Sequence, residues 1–171
     1  IRDSFDGVFA FCIYDSQRNT IFLARDRLGI KPLYYLNENN EFYFSSHIKG
    51  IIKNMNSPQI NPVALNYQFT LHSVVPAPHT IINNVKKLEP GYTLTISRSG
   101  DMRKRKYFDI NEIEIKEYSN DEIKDNVITL LTSAIEKRIN IADVPVGILL
   151  SGGLDSSLIT AISKNYKDDL N

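Results

Sequence analysis

Residues 146–157 read Val146-Gly147-Ile148-Leu149-Leu150-Ser151-Gly152-Gly153-Leu154-Asp155-Ser156-Ser157, and they decide the fold class of the segment around them. The continuous apolar run from Val146 to Leu150 predicts a short parallel strand covered on both faces. Leu158, Ala161 and Ile162 recur at helical spacing, which predicts a helix over Ser156 to Asn165. Strand, glycine turn and helix in that order begin an α/β unit. Consecutive glycines let the backbone aim several N–H groups at one point, and the following helix adds unpaired N–H groups at its positive dipole end. An oxyanion fits such a place. The hydroxyls of Ser151, Ser156 and Ser157 can donate to phosphate oxygens, and Asp155 can hold a Mg²⁺ that neutralises them. A carboxylate beside a bare pyrophosphate would repel it, so Asp155 favours a metal-nucleotide complex. The glycine spacing is not that of G-x-x-x-x-G-K-[ST] and the loop has no lysine, so kinase-like or GTPase-like chemistry does not fit. The plainer reading makes Gly152 and Gly153 a tight turn with serine caps.

Upstream of this run, Ser119 and Glu122 have the spacing of a capping box. Ile123, Val127, Leu130, Leu131, Ala134, Ile135 and Ile139 then form one face of a long helix. Asp109 to Tyr118 is charged, lacks a clear period and reads as a linker. Before it strands dominate. Gly7 to Tyr14 and Thr20 to Ala24 predict a β-hairpin, and Pro32 to Leu36 with Glu41 to Ser45 a second pair across the turn-forming Asn37, Asn39 and Asn40. Pro90 and Gly91 turn the chain into a third pair, Tyr92 to Ile96 and Met102 to Phe108. Between them, Asn61 and Pro62 have the chemistry of an N-cap and first helical residue, continued by Val63, Ala64, Leu65 and Tyr67.

Composition sets the outer bounds. The chain has 171 residues, enough for one ordinary domain or two partial ones. Twenty basic residues balance twenty acidic ones, so no net field gathers nucleic acid or an anionic membrane, and neither partner is expected. No apolar run is long enough to span a bilayer and the N-terminus has no signal-peptide pattern, which predicts a cytoplasmic protein. The single cysteine, Cys12, cannot form an internal disulfide and sits in an apolar strand, so it reads as a small core residue. His47, His72 and His79 lack metal-ligand spacing and are read as solvated or structural. The chain starts at Ile1 in what reads as mid-domain sequence and stops just after a predicted helix, so it is expected to be an internal fragment.

The heptapeptide Ser151 to Ser157 resembles the S-G-G-x-D-S pyrophosphate motif of N-type ATP pyrophosphatases, which adenylate a carboxylate or carbonyl and release pyrophosphate. Asp143 to Leu150 is similar to the lead-in strand of asparagine synthetases, where the backbone at the position of Leu149 contacts the nucleotide. Phe5 to Phe11, Ala24 to Tyr35 and Phe44 to Lys49 resemble the second half of a class II glutamine amidotransferase domain. Val75 to Ile81 and Lys87 to Gly91 continue that likeness in the expected order, and His47 departs from it, since the family usually has glutamate there.

The resemblance implies an α+β glutamine amidotransferase of the N-terminal-nucleophile type with antiparallel sheets, of which only the C-terminal part is present. The start of an α/β adenine-nucleotide hydrolase-like ATP-pyrophosphatase domain follows it. The implied division is residues 1–108 for the first, 109–118 as linker and 119–171 for the second. The implied activity is ATP-dependent ligation with glutamine as amido donor, making asparagine from aspartate through β-aspartyl-AMP. Implied partners are glutamine, ATP, Mg²⁺ and aspartate, with a homodimer as candidate assembly. The implied nucleotide site comprises Leu149, Ser151, Gly152, Gly153, Asp155, Ser156 and Ser157, with Asp155 toward the metal. Glutamine is split in this family by an N-terminal cysteine whose α-amine serves as base. Cys12 has no free amine beside it, so the nucleophile is expected upstream of Ile1 and this chain alone is expected to be inactive. Arg25, Asp26, Arg27 and Lys31 have two readings: a domain interface or the path of released ammonia, which the resemblance suggests, or a charged turn with Arg25 and Asp26 paired at the surface. Rival readings keep the architecture with a sugar-acid or β-lactam-precursor acceptor, make the protein a tRNA-thiolating pyrophosphatase, or leave it a non-catalytic remnant.

Overall fold

The computed structural model of the chain describes residues 5–166. The chain divides into two units, Ile1–Ile113 and Glu114–Asn171.

The first unit has seven strands: β1 (Ala10–Asp15), β2 (Thr20–Arg25), β3 (Tyr34–Glu38), β4 (Glu41–Ser45), β5 (Lys86–Lys87), β6 (Tyr92–Ile96) and β7 (Met102–Lys106). All pair antiparallel, in one sheet ordered β1-β2-β6-β7 and another ordered β4-β3-β5. The three expected strand pairs are present. The first hairpin turns where Asp15 accepts from the N–H groups of Gln17 and Arg18, each at 3.0 Å, and where Asn19 takes a positive φ.

Both sheets feed one core. Leu23, Leu94 and Ile96 of the four-stranded sheet meet Leu33, Tyr35 and Leu88, and Cys12 packs partly buried against them. Removal from water is worth about 1.5–3 kcal/mol for each large side chain. The other face of the three-stranded sheet carries Leu36, which with Ile51 of the short helix α1 (Ile48–Ile52) and Val85 makes a second cluster. Helix α2 (Pro62–Thr70) starts as its sequence dictates: the Asn61 side chain accepts from the N–H groups of Val63 and Ala64 at 3.0 and 3.2 Å, with Pro62 at the first position.

The second unit is helical. α3 (Asn120–Ile141) opens on the expected capping box, with the Ser119 N–H donating to Glu122 at 2.8 Å and the Glu122 N–H to the Ser119 hydroxyl at 3.4 Å. α4 (Leu154–Ser163) packs on α3, and Ile135, Ile139 and Ser163 are the residues buried there. Of the apolar face expected on α3, Ile123, Val127 and Leu130 stay exposed.

Two expectations need correction here. Val146 to Leu150 forms no strand: it is irregular backbone, and Leu149 is 96% exposed. A parallel strand exists only by hydrogen bonding to neighbours and is buried only by covering helices. Among the described residues no strand lies beside 146–150, so its apolar side chains have nothing to pack on. The helix after the loop begins at Leu154, two residues earlier than expected, which puts Asp155 and Ser156 inside its first turn.

Candidate functional site

The loop from Ser151 to Ser157 has the geometry its glycines require. Gly152 takes φ of 81°, a left-handed value costly for any residue with a Cβ, and Gly153 then stands extended at the N-cap of α4. Gly153 brings no side chain to cap the helix, so the N–H groups of the first turn are left to an outside acceptor. An anion is stabilised at such an end by the dipole as well as by the donors.

The serine hydroxyls already have partners. Ser156 Oγ and Ser157 Oγ donate to the Gly153 carbonyl at 3.1 and 2.8 Å, and Ser151 Oγ lies 3.0 Å from Ser156 Oγ. The loop therefore brings all three hydroxyls around Gly153. A hydroxyl turned onto its own helix reaches a phosphate oxygen only by rotating about χ1. Asp155 is exposed in the first turn, and among the described residues no hydrogen bond or ion pair reaches its carboxylate. Mg²⁺ is held by one or two carboxylates together with phosphate oxygens and water. A single open carboxylate beside an anion-accepting helix end fits that requirement. Among the described residues there is no cluster of three or more His, Cys, Asp or Glu side chains that holds a metal by itself.

The second constellation lies in the first unit, and its chemistry is unlike the surface-pair reading of the turn that begins at Arg25. Arg25 is 6% and Asp26 1% exposed. They are not paired with each other at a surface; each is spent on backbone. Asp26 accepts from the N–H groups of Leu28 at 3.2 Å and Ile30 at 3.0 Å through one oxygen, and from Lys31 at 3.0 Å through the other. The Arg25 guanidinium donates to the Lys31 carbonyl at 2.7 Å and to the carbonyls of Leu88 and Gly29. The main chain of the same two residues takes bonds from Tyr107 Oη, at 2.6 Å to the Arg25 carbonyl, and from the Gly91 N–H, at 2.9 Å to that of Asp26. The Asp26 N–H in turn donates to Phe9 at 2.8 Å. Burial pulls the Arg25 pKa below its ordinary value, and neighbouring Asp26 works against that shift.

What this hub holds up is a cleft of about 340 Å³ lined by Val8, Phe9, Ala10, Lys31, Pro32 and Ser46. Lys31 is exposed on its rim, while Arg27 lies over the Phe108 ring at 5.5 Å. Sequence reasoning missed the hub because charged residues are outside by default. One signal was present: an aspartate followed within six residues by a glycine and a proline has the pattern of a side chain that closes its own turn. His47 stands exposed at the N-cap of α1 without capping it by its side chain, and the His79 ring packs 5.8 Å from that of Tyr67.

Residues 1–108 match the glutamine amidotransferase domain family and residues 126–171 the asparagine synthase family. The two-sheet unit with its buried turn, joined to a helical unit with an open glycine loop, belongs to the glutamine amidotransferase domain family. Over 96% of its length the chain is 38% identical to asparagine synthetase (glutamine-hydrolyzing) 1 of Bacillus subtilis and 34% identical to asparagine synthetase B (glutamine-hydrolyzing) of Escherichia coli. It is also 32% identical, over 91% of its length, to the amidase chry2 of Gibberella zeae. The chain spans only 26%, 24% and 23% of the lengths of those three proteins. Among the described residues no helix is long and apolar enough to cross a membrane.

Proposed function

We propose that this chain is the junction of a glutamine-dependent asparagine-forming ligase, with residues 1–108 belonging to the glutamine-using domain, 109–118 linking, and 119–171 opening the ATP-using domain. The observation that carries the reading is the uncapped start of α4 behind Gly152 and Gly153, in a chain whose other unit is an amidotransferase domain. The intact protein hydrolyses glutamine to glutamate and ammonia at a nucleophile outside this chain. The Lys31-lined cleft lies on the path of that ammonia. At the other site the aspartate side-chain carboxylate attacks the α-phosphorus of ATP and expels pyrophosphate, giving β-aspartyl-AMP. Ammonia then adds to the acyl carbon and AMP leaves, giving asparagine.

In this scheme the first-turn N–H groups of α4, the backbone at Leu149, Gly152 and Gly153, and the hydroxyls of Ser151, Ser156 and Ser157 bind the departing pyrophosphate. Donors fixed where charge develops lower the barrier without reorganisation, and removing one costs on the order of 10²-fold in rate. Asp155 holds Mg²⁺, which when bound neutralises the phosphate oxygens. Aspartate, glutamine and ATP are the substrates, the assembly is a homodimer and the location is the cytoplasm. The similarity to amidase chry2 favours a second reading in which the same machinery amidates a different carboxylate.

Full-length protein given Mg-ATP, glutamine and aspartate and assayed by mass spectrometry is expected to yield asparagine, AMP and pyrophosphate. Asp155→Asn is expected to abolish pyrophosphate release while sparing glutamate release. Unchanged synthesis would refute the metal role, and glutamate without asparagine would turn the search to other acceptors.

A further inference from the structure

We infer that the basic edge strand β7 of one copy receives the acidic stretch at residues 112–115 of a second copy as an added antiparallel strand, reciprocally about a two-fold axis. This rests on the homodimer proposed above and goes beyond it by naming the surface. β7 is the outer strand of its sheet and is exposed along its whole length. The bonds from the Tyr107 N–H to Gly91 and from the Ser97 N–H to Asp101 fix the alternation of the β6–β7 ladder. Arg103 and Arg105 therefore bond to β6, while Met102, Lys104 and Lys106 turn their N–H and C=O groups outward. The side chains alternate as well. Lys104 and Lys106 lie over the Tyr92 ring, 5.2 and 5.7 Å from its centroid, and bind Glu89 and Asp109. Arg103 and Arg105 stand on the opposite face, and among the described residues no hydrogen bond or ion pair reaches either guanidinium.

Four consecutive cations on an open edge keep two copies of that edge apart, since like charges would face each other. They do not repel an acidic strand. The chain carries one just beyond β7: Glu112, Ile113, Glu114 and Ile115 alternate acid and isoleucine, and all four are exposed, Ile115 to 95%. In its own chain this stretch forms no ladder with β7; the N–H groups of Tyr107 and Phe108 donate instead to the Gly91 carbonyl, on the β6 side. One antiparallel register suits both partners. Glu114 falls opposite Arg103 and Glu112 opposite Arg105, which gives the two unpaired guanidinium groups their carboxylates. Ile115 then covers Met102, itself 42% exposed, and Ile113 lies along the aliphatic stem of Lys104. Ile113 already has extended backbone, at φ −75° and ψ 123°, so only the last residue of the single 3₁₀ turn Ile110–Glu112 has to open. Main-chain bonds supply the attraction and the alternating side chains the selectivity, as in any strand added to a sheet edge.

The test is the dissociation constant of the full-length protein's dimer, read by sedimentation velocity. Two charge-reversed variants are compared with wild type: Arg103→Glu with Arg105→Glu, and Glu112→Lys with Glu114→Lys. Each alone is expected to dimerise at least about tenfold more weakly, because repulsion replaces attraction at every charged cross-strand pair. Mixed in equal amounts, the two are expected to recover most of the wild-type affinity, since each then meets the opposite charge in both ladders. A merely structural effect of either substitution is not cured by mixing. The wild-type dimer is also expected to weaken as salt rises. Reversed variants that dimerise as wild type does overturn the proposal, as does a mixture that stays monomeric. If either reversal does not fold, Arg103→Ala with Arg105→Ala is read by the same constant: a weakened dimer supports the interface and an unchanged one overturns it. A wild type that stays monomeric overturns the homodimer itself and the interface with it, whereas a dimeric wild type with equally dimeric variants overturns only the interface. The proposed ligase activity is decided separately, by the product assay.

Discussion

Asp26 and Asp155 each sit in a glycine-containing turn, and the structure treats them in opposite ways. Asp26 is enclosed, and its two oxygens take three backbone N–H bonds. Asp155 is open, takes none among the described residues, and stands in a helical turn whose N-cap offers no side chain. A saturated turn has no valence left for a ligand and fixes shape; an unsaturated one is finished only when something outside the chain arrives. Polar satisfaction, more than charge or glycine content, separates scaffold from site.

The sharpest way to break this comparison is to remove the carboxylates one at a time. Asp26→Ala leaves the N–H groups of Leu28, Ile30 and Lys31 without their acceptor, and is expected to destabilise the first unit by about 3 kcal/mol in urea unfolding. Asp155→Ala should lie within about 0.5 kcal/mol of the parent, as a change at an exposed unpartnered side chain does. Similar losses at both positions would end the distinction. The glycines sharpen it. A Cβ at Gly29 would meet Pro90 Cγ at 2.7 Å and Arg25 Cζ at 2.9 Å, whereas one at Gly152 meets nothing within 4 Å. Both have positive φ, so Gly152→Ala is expected to cost about 1–2 kcal/mol from backbone strain alone, and Gly29→Ala to cost that plus about 1–3 kcal/mol of overpacking. Equal shifts in the urea midpoint would show that the turn at Gly29 yields more readily than its contacts imply.

Smaller effects probe the edges of the two regions. Tyr107→Phe deletes a single hydroxyl bond to the hub and is expected to cost about 1 kcal/mol in equilibrium unfolding, with no loss meaning that Arg25 finds its carbonyl another partner. In the second unit, hydrogen bonds from the backbone and hydroxyl of Ser119 hold the Glu122 pKa below its ordinary value. A depressed carboxylate stabilises the folded form fully above its unfolded pKa, and that help is lost as pH falls through the folded value. Helical circular dichroism should therefore weaken slightly on acidification below the ordinary carboxylate range, and Glu122→Gln should remove that component. Superimposable titrations would mean the capping box does not govern the end of α3.

How much of this was legible beforehand follows from the range of the forces involved. The Asn61 cap, the Ser119 box and the three strand pairs were readable because each is set by residues close in sequence. The loop at Gly152 was legible as a turn for the same reason. The bonds of Arg25 to Leu88 and of Tyr107 to Arg25 span 63 and 82 positions, and no local pattern announces them. The strand expected at Val146 to Leu150 failed from the reverse cause: its residues have the right composition, but a strand is a relation to neighbours rather than a property of five side chains.

That unpaired segment also bears on how the polypeptide behaves in solution. Leu149 and Leu150 are 96% and 60% exposed on backbone that donates to and accepts from no ladder among the described residues. Short, uncharged, β-prone stretches with free backbone edges are templates for the same stretch of another molecule. The chain on its own should therefore self-associate through residues 146–150 as its concentration rises, and a lysine substituted at Leu150 should act as a gatekeeper that keeps it dispersed.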